Sequence, residues 1–96
     1  MKAQTPKLNI RKEDVFKKIK ENPEFYNNRE NAVNTYNLVL KNYKLIKFKS
    51  SREQAHFNEI VTELRKAILS ESKDLFIHEF AKATCNIEYY LQESTS

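Results

Sequence analysis

The sequence predicts an all-α fold: a compact bundle of about four helices, with a short extended basic linker between the second and third. Three observations predict it. The chain has no glycine, and primed β-hairpin turns depend on glycine at positive φ. A many-turned β sandwich or barrel is therefore excluded, and the ten asparagines are left to take any left-handed positions. Apolar residues recur at steps of three and four over long windows, the signature of one helix face. Only one short stretch, Leu45, Ile46 and Phe48, has strand character, and an isolated strand has nothing to pair with.

Residues 1–10 are polar apart from Leu8 and Ile10, contain Pro6, and read as an extended lead-in. A first helix is expected from about Arg11 to Glu21. Glu13 and Asp14 fall in its first turn and Lys17, Lys18 and Lys20 toward its end, which suits the helix dipole. Pro23 biases Asn22 away from the α region and ends that helix, leaving Phe25 and Tyr26 as an aromatic knot in the connection. A second helix follows from Arg29 to Tyr43, with Asn27 as cap and Glu30 closing a capping box. Its apolar face is Val33, Tyr36, Leu40 and Tyr43, widened by Ala32 and Val39. A third helix starts at Ser51, capped by Ser51 with Gln54 or by Ser50 with Glu53, and carries the stripe Phe57, Ile60, Val61, Leu64 and Ile68. Ser72 caps a fourth, whose face runs through Leu75, Phe76, Phe80, Ala83, Thr84, Ile87 and Leu91. No Gly or Pro separates these two, so one continuous helix of about 40 residues is the alternative. Residues 93–96 are a polar tail.

A chain of 96 residues holds one core, placed here in a single helical domain over residues 11–92. The interior is expected to collect Val15, Phe16, Ile19, Val33, Tyr36, Leu40, Phe57, Ile60, Val61, Leu64, Ile68, Phe76, Phe80, Ile87 and Leu91. There is no apolar run of membrane-spanning length and no apolar leader segment near Met1, so the expectation is a cytoplasmic protein without a membrane partner.

Charge divides the chain. Residues 1–49 carry ten lysines and two arginines against five acids, +7; residues 50–96 carry three lysines and two arginines against eight acids, −3. Such a division suits internal pairing, a homodimer, or a basic face turned to a partner. The basic stretch Lys41, Lys44, Lys47, Lys49 and Arg52 interleaves Tyr43 and Phe48, a pattern in which cations contact phosphate and rings stack on bases. The linker of about eight residues is too long for a helix-turn-helix. The excess of lysine and asparagine over glycine matches a low-GC coding sequence of the kind found in phages and mobile elements.

Chemistry finds little to work with. The absence of glycine removes every glycine-dependent phosphate motif and the nucleophile elbow, and a single cysteine, Cys85, removes disulfides and cysteine-built zinc sites. His78-Glu79 lacks the second histidine of a zinc protease helix, its place being taken by Lys82. His78 and Cys85 share a helix face with no third ligand in register, and Glu59 with Glu63 at i, i+4 marks an exposed face. Arg52 and His56, one turn apart with Glu53 beside the arginine, resemble the Arg–His pair of the HEPN ribonucleases, which are also small, helical and dimeric. The spacing here is narrower and Glu-Gln-Ala stands between the two, so the chain is not assigned to that family. No catalytic residue, cofactor or metal ligand is nominated.

The aromatic pairs Phe25-Tyr26 and Tyr89-Tyr90 are adjacent in sequence, so both rings of a pair are not expected to face one core. They are nominated as interface residues. The sequence thus points to a small, non-enzymatic regulatory or inhibitory protein that binds a macromolecule. Another protein is the favoured partner, with nucleic acid through residues 41–52 as the alternative and a homodimer as the favoured assembly.

Overall fold

A computed structural model describes residues 11–95, with side chains to Leu91. The lead-in of residues 1–10 and the end of the polar tail lie outside the described residues. The observed elements are α1 (Lys12–Glu21), α2 (Pro23–Tyr26), α3 (Arg29–Asn42), a 3₁₀ turn (Tyr43–Leu45), α4 (Ser51–Leu69) and α5 (Lys73–Thr95). The all-α class and the four long helices match the expectation; α2 is an added single turn, with Pro23 at its first position where the missing N–H costs nothing. Residues 46–48 are extended, but no strand forms among the described residues.

Side chains punctuate the helices. Asn28, one residue later than expected, caps α3: its Oδ1 accepts from the N–H groups of Glu30 at 2.9 Å and Asn31 at 3.3 Å. Ser50 caps α4 by accepting from the Glu53 N–H at 3.2 Å, and the Glu53 carboxylate, buried, accepts in turn from the Lys49 N–H at 3.0 Å. Between α4 and α5 the chain breaks at residues 70–72, so the single long helix is excluded. Ser72 Oγ accepts from the Leu75 N–H at 3.2 Å and starts α5.

The core is a three-sided arrangement around α5, which packs against α4 along its length and against α1 and α2 on its other side. α3 packs antiparallel on α4. At one end Arg29 reaches the C-terminus of α4, its guanidinium donating to the carbonyls of Ala67 (3.3 Å), Ile68 (2.6 Å) and Ser70 (2.5 Å) and lying 4.6 Å over the Phe76 ring. At the other end the Tyr43 hydroxyl donates to Asn58 Oδ1 at 2.7 Å and accepts from Gln54 Nε2 at 3.2 Å. Two aromatic clusters fill the interior: Phe25, Tyr26, Phe76 and Phe80 under α2, and Tyr43, Phe48, Phe57 and Tyr90 between the linker and α5.

Part of the expected core is outside. Phe16, Val33, Leu40 and Leu91 are exposed, and Ala32, Val39, Ile46, Ala67, Ala81, Tyr26 and Tyr90 are buried instead. On α3 the inward face is Ala32, Tyr36, Val39 and Tyr43, the part of the expected face that lies away from Val33 and Leu40. Arg29 lies in line with Ala32 and Tyr36 on the helix surface, so its bonds to the end of α4 fix that rotation. The small side chain of Ala32, fully buried, lets α3 approach closely.

Candidate docking groove

α3 and α5 both lie against α4, and between them, over the C-terminal part of the chain, runs a groove of about 460 Å³. One wall is α3, through Thr35, Leu38, Val39 and Asn42, continued by Leu45 and Ile46 of the linker. The other wall is α5, through Ile87 and Leu91, and Phe57 of α4 forms the floor. The groove is apolar in composition, and its upper edges are leucines open to solvent: Leu38 is 58% exposed, Leu45 72% and Leu91 42%. Scattered exposed leucines are ordinary on a soluble protein, but three that share one concavity form a contiguous apolar patch.

The start of the basic stretch adjoins lining residues of this groove in sequence. Lys41 lies at i+3 from Leu38 on α3, Lys44 precedes Leu45 in the 3₁₀ turn, Lys47 and Lys49 flank the extended linker, and Arg52 is in the first turn of α4; all five are exposed. Lys41, Lys44 and Arg52 make no ion pair among the described residues. Among the described residues no acidic side chain lines the groove, and Lys41 and Lys44 stand next in sequence to residues of its α3 side. The rings that interleave these cations are turned inward. Tyr43 packs 5.8 Å from Phe48 and 6.0 Å from Phe57, and Phe48 packs 5.4 Å from Phe57 and 5.9 Å from Tyr90, measured between ring centroids. Both are partly buried and pack against the core of the chain.

The nominated interface rings are placed differently from the expectation that one of each pair projects outward. Tyr26 and Tyr90 are buried, and Phe25 and Tyr89 are half-buried. Because α5 is covered from both sides, by α4 and by α1 with α2, neighbouring positions 100° apart on it find cover within the same chain. Tyr90 contacts Phe57 edge-on and its hydroxyl shares a 2.7 Å hydrogen bond with His56 Nδ1. His56 is thereby engaged across the α4–α5 interface, while Arg52 is exposed one turn away.

The residues with chemical potential fall into a few separate groups. Among the described residues no three His, Cys, Asp or Glu side chains converge in a way that would hold a metal ion. His78 packs against Phe16 with ring centroids 6.0 Å apart. Cys85 is half-buried, and burial pushes its thiol up from the ordinary value, with the neighbouring Lys18 opposing that shift. Lys18 and Glu88 form a 2.5 Å ion pair beside it; the hydrogen bond to Glu88 holds the Lys18 ammonium above its usual range. Burial likewise raises the Tyr26 phenol. Glu59, Glu63, Glu79 and Lys82 edge a polar recess of about 100 Å³ with His56 and Asn86, room for little more than ordered water.

No helix among the described residues is long and apolar enough to cross a membrane. No protein-family model, curated protein or solved structure matches the chain.

Sequence reasoning found the basic stretch but missed the groove beside it. The available signal was Leu38 and Leu45, seven residues apart and left out of the expected α3 face.

Proposed function

We propose that the chain is a non-enzymatic regulatory or inhibitory protein that acts by binding another protein, and that the groove between α3 and α5 is where it binds. The observation that carries this reading is the groove itself: about 460 Å³, floored by Phe57 and edged by three solvent-open leucines. Cavities of this size lie within the range of about 300–1,000 Å³ typical of ligand-binding clefts. Burial of their apolar area against a partner is worth roughly 25 cal/mol per Å². The state of the reactive side chains supports the same reading. A thiol raised by burial is a poor nucleophile, and His56 is held by Tyr90 in a structural contact.

The experiment is affinity capture from a lysate of the source cells with three forms of the chain. These are the wild type, a Leu38→Lys/Leu45→Lys double variant, and Leu69→Lys as a control, Leu69 being equally exposed at the far end of α4. The expected result is a protein held by the wild type and the control, lost by the double variant, and indifferent to nuclease. Equal capture by the double variant would overturn the groove as the site. Capture abolished by nuclease would move the function to nucleic acid and to the cations of residues 41–52.

A further inference from the structure

We infer that the occupant of this groove is an acidic amphipathic helix of another protein, its apolar residues between the leucine edges and its carboxylates on the α3 side against Lys41 and Lys44. The inference rests on the docking reading above and adds the chemistry of the guest.

Shape argues for a helix. The walls are helices and a 3₁₀ turn, and no strand occurs among the described residues, so there is no sheet edge onto which an extended peptide could add. Leu38 on α3 and Leu45 on the 3₁₀ turn that follows it edge the same wall, with Val39 and Asn42 between them. A guest helix presenting apolar residues at i, i+3 or i+4, and i+7 lays one continuous apolar face along such a wall. Phe57 forms the floor against which the middle residue packs, and Ile87 and Leu91 close the far side.

Charge argues for an acidic guest. Among the described residues the groove is lined by no carboxylate, and Glu88, next to the lining residue Ile87, is paired with Lys18. Lys41 and Lys44 are exposed on one rim and have no ion pair among the described residues. A guest carrying Glu or Asp beside its apolar stripe satisfies both lysines; a basic guest places like charges together, which disfavours it. Complementarity is therefore one-sided, and it sets the orientation of the guest about its own axis.

The test uses the full chain and three fluorescent peptides of about 20 residues, long enough to populate a helix. Each has an alanine framework with leucine at i, i+3 and i+7. One carries glutamate beside the stripe, one lysine at the same positions, and one is a scramble of the glutamate peptide. The expected order by anisotropy is glutamate over lysine by about tenfold or more, with the scramble weakest and the preference shrinking as salt is added. Lys41→Glu/Lys44→Glu, a change at two exposed positions, should reverse the order so that the lysine peptide binds better. Equal binding of the glutamate and lysine peptides, or no reversal in the charge-swapped variant, overturns the acidic guest and leaves the docking reading standing. If no peptide binds, the inference fails. If the neutral dye Nile red also responds identically to wild type and Leu38→Lys/Leu45→Lys, the docking reading fails with it. A light-scattering mass near twice that of one chain, returned to one by the leucine double variant, would show a second copy in the groove and overturn the inference.

Discussion

Arg29 sits where a local rule would not put it, in the first turn of a helix, where a cation opposes the dipole. The structure gives the reason: its guanidinium serves the end of a different helix. Three carbonyls around the C-terminus of α4 accept from it, two of them at 2.5–2.6 Å, and its flat face covers Phe76. Hydrogen bonds from a charged donor contribute about 1.5–3 kcal/mol where partly shielded. A cation over an aromatic ring adds ~0.5–1 kcal/mol at an exposed site, and a cation at a helix C-terminus ~0.3–1 kcal/mol. These terms overlap, the side chain is largely in solvent, and ordering it costs entropy, so the net contribution is about 2 kcal/mol.

Arg29→Met keeps an unbranched stem and good helix propensity while removing every donor. It should lower stability by that amount, moving the urea midpoint down by about 1 M and Tm by about 8–16 °C for a domain of this size. Arg29→Lys retains the charge but not the planar fork, and should recover about half. Hydrogen exchange should quicken first at residues 67–72, where the bonded carbonyls lie. A loss below about 0.5 kcal/mol for both variants would show that α3 is held on α4 by apolar packing alone and that Arg29 does not set its rotation.

Tyr90→Phe keeps the ring and removes the hydroxyl bonded to His56, and should cost about 1 kcal/mol; Tyr90→Ala should cost about 3–5 kcal/mol. Loss of helicity at lower temperature in the alanine variant marks a core residue, whereas a shift to monomer with helicity intact would return Tyr90 to an interface. Stability should also fall at alkaline pH in a defined order. Cys85, Tyr26 and Lys18 all hold their protons more tightly in the folded chain than at the ordinary values of 9.0, 10.0 and 10.5. The unfolded chain therefore sheds these protons first, and each group's contribution, complete below its ordinary value, is lost as pH rises through its folded value. Urea midpoints should be flat up to about pH 9 and decline above it, less steeply in Glu88→Gln, which removes the main partner of Lys18; a midpoint that rises above pH 9 would refute the assignment.

What the sequence made legible follows from the range of the interactions concerned. α4 was readable because its stripe, Phe57 to Leu64, is unbroken and its Ser50 cap is local. The start of α5 was readable because Ser72 bonds three residues ahead. α3 was placed correctly along the chain, and Ala32, Tyr36, Val39 and Tyr43 of its expected face turn inward, while Val33 and Leu40 do not. Ala32, Val33, Tyr36, Leu38, Val39 and Leu40 spread apolar character over so wide an arc that periodicity does not single out one face. The choice is made by Arg29 acting across 38 to 41 residues of sequence, a distance at which no window of periodicity reports. Tyr26 and Tyr90 were misplaced for a similar reason: adjacency in sequence says that two rings diverge, not that only one side of their helix is covered.

The groove is the consequence of that same rotation. On α3 the inward positions include the smallest apolar residue available, Ala32, while Leu38 and Leu40, each with far more area to bury, are left outside. A chain stabilised only for itself would do better to turn the leucines in, since each buried leucine is worth about 1.5–3 kcal/mol relative to an exposed one. Turning them in would bring Lys41 toward the core, three residues on from Leu38, and would withdraw Arg29 from the end of α4. The observed register keeps the cations in water and the arginine bonded. It leaves the leucine edges of the groove, Leu38 and Leu45, in solvent beside Lys41 and Lys44, the apolar area that the proposed docking would cover.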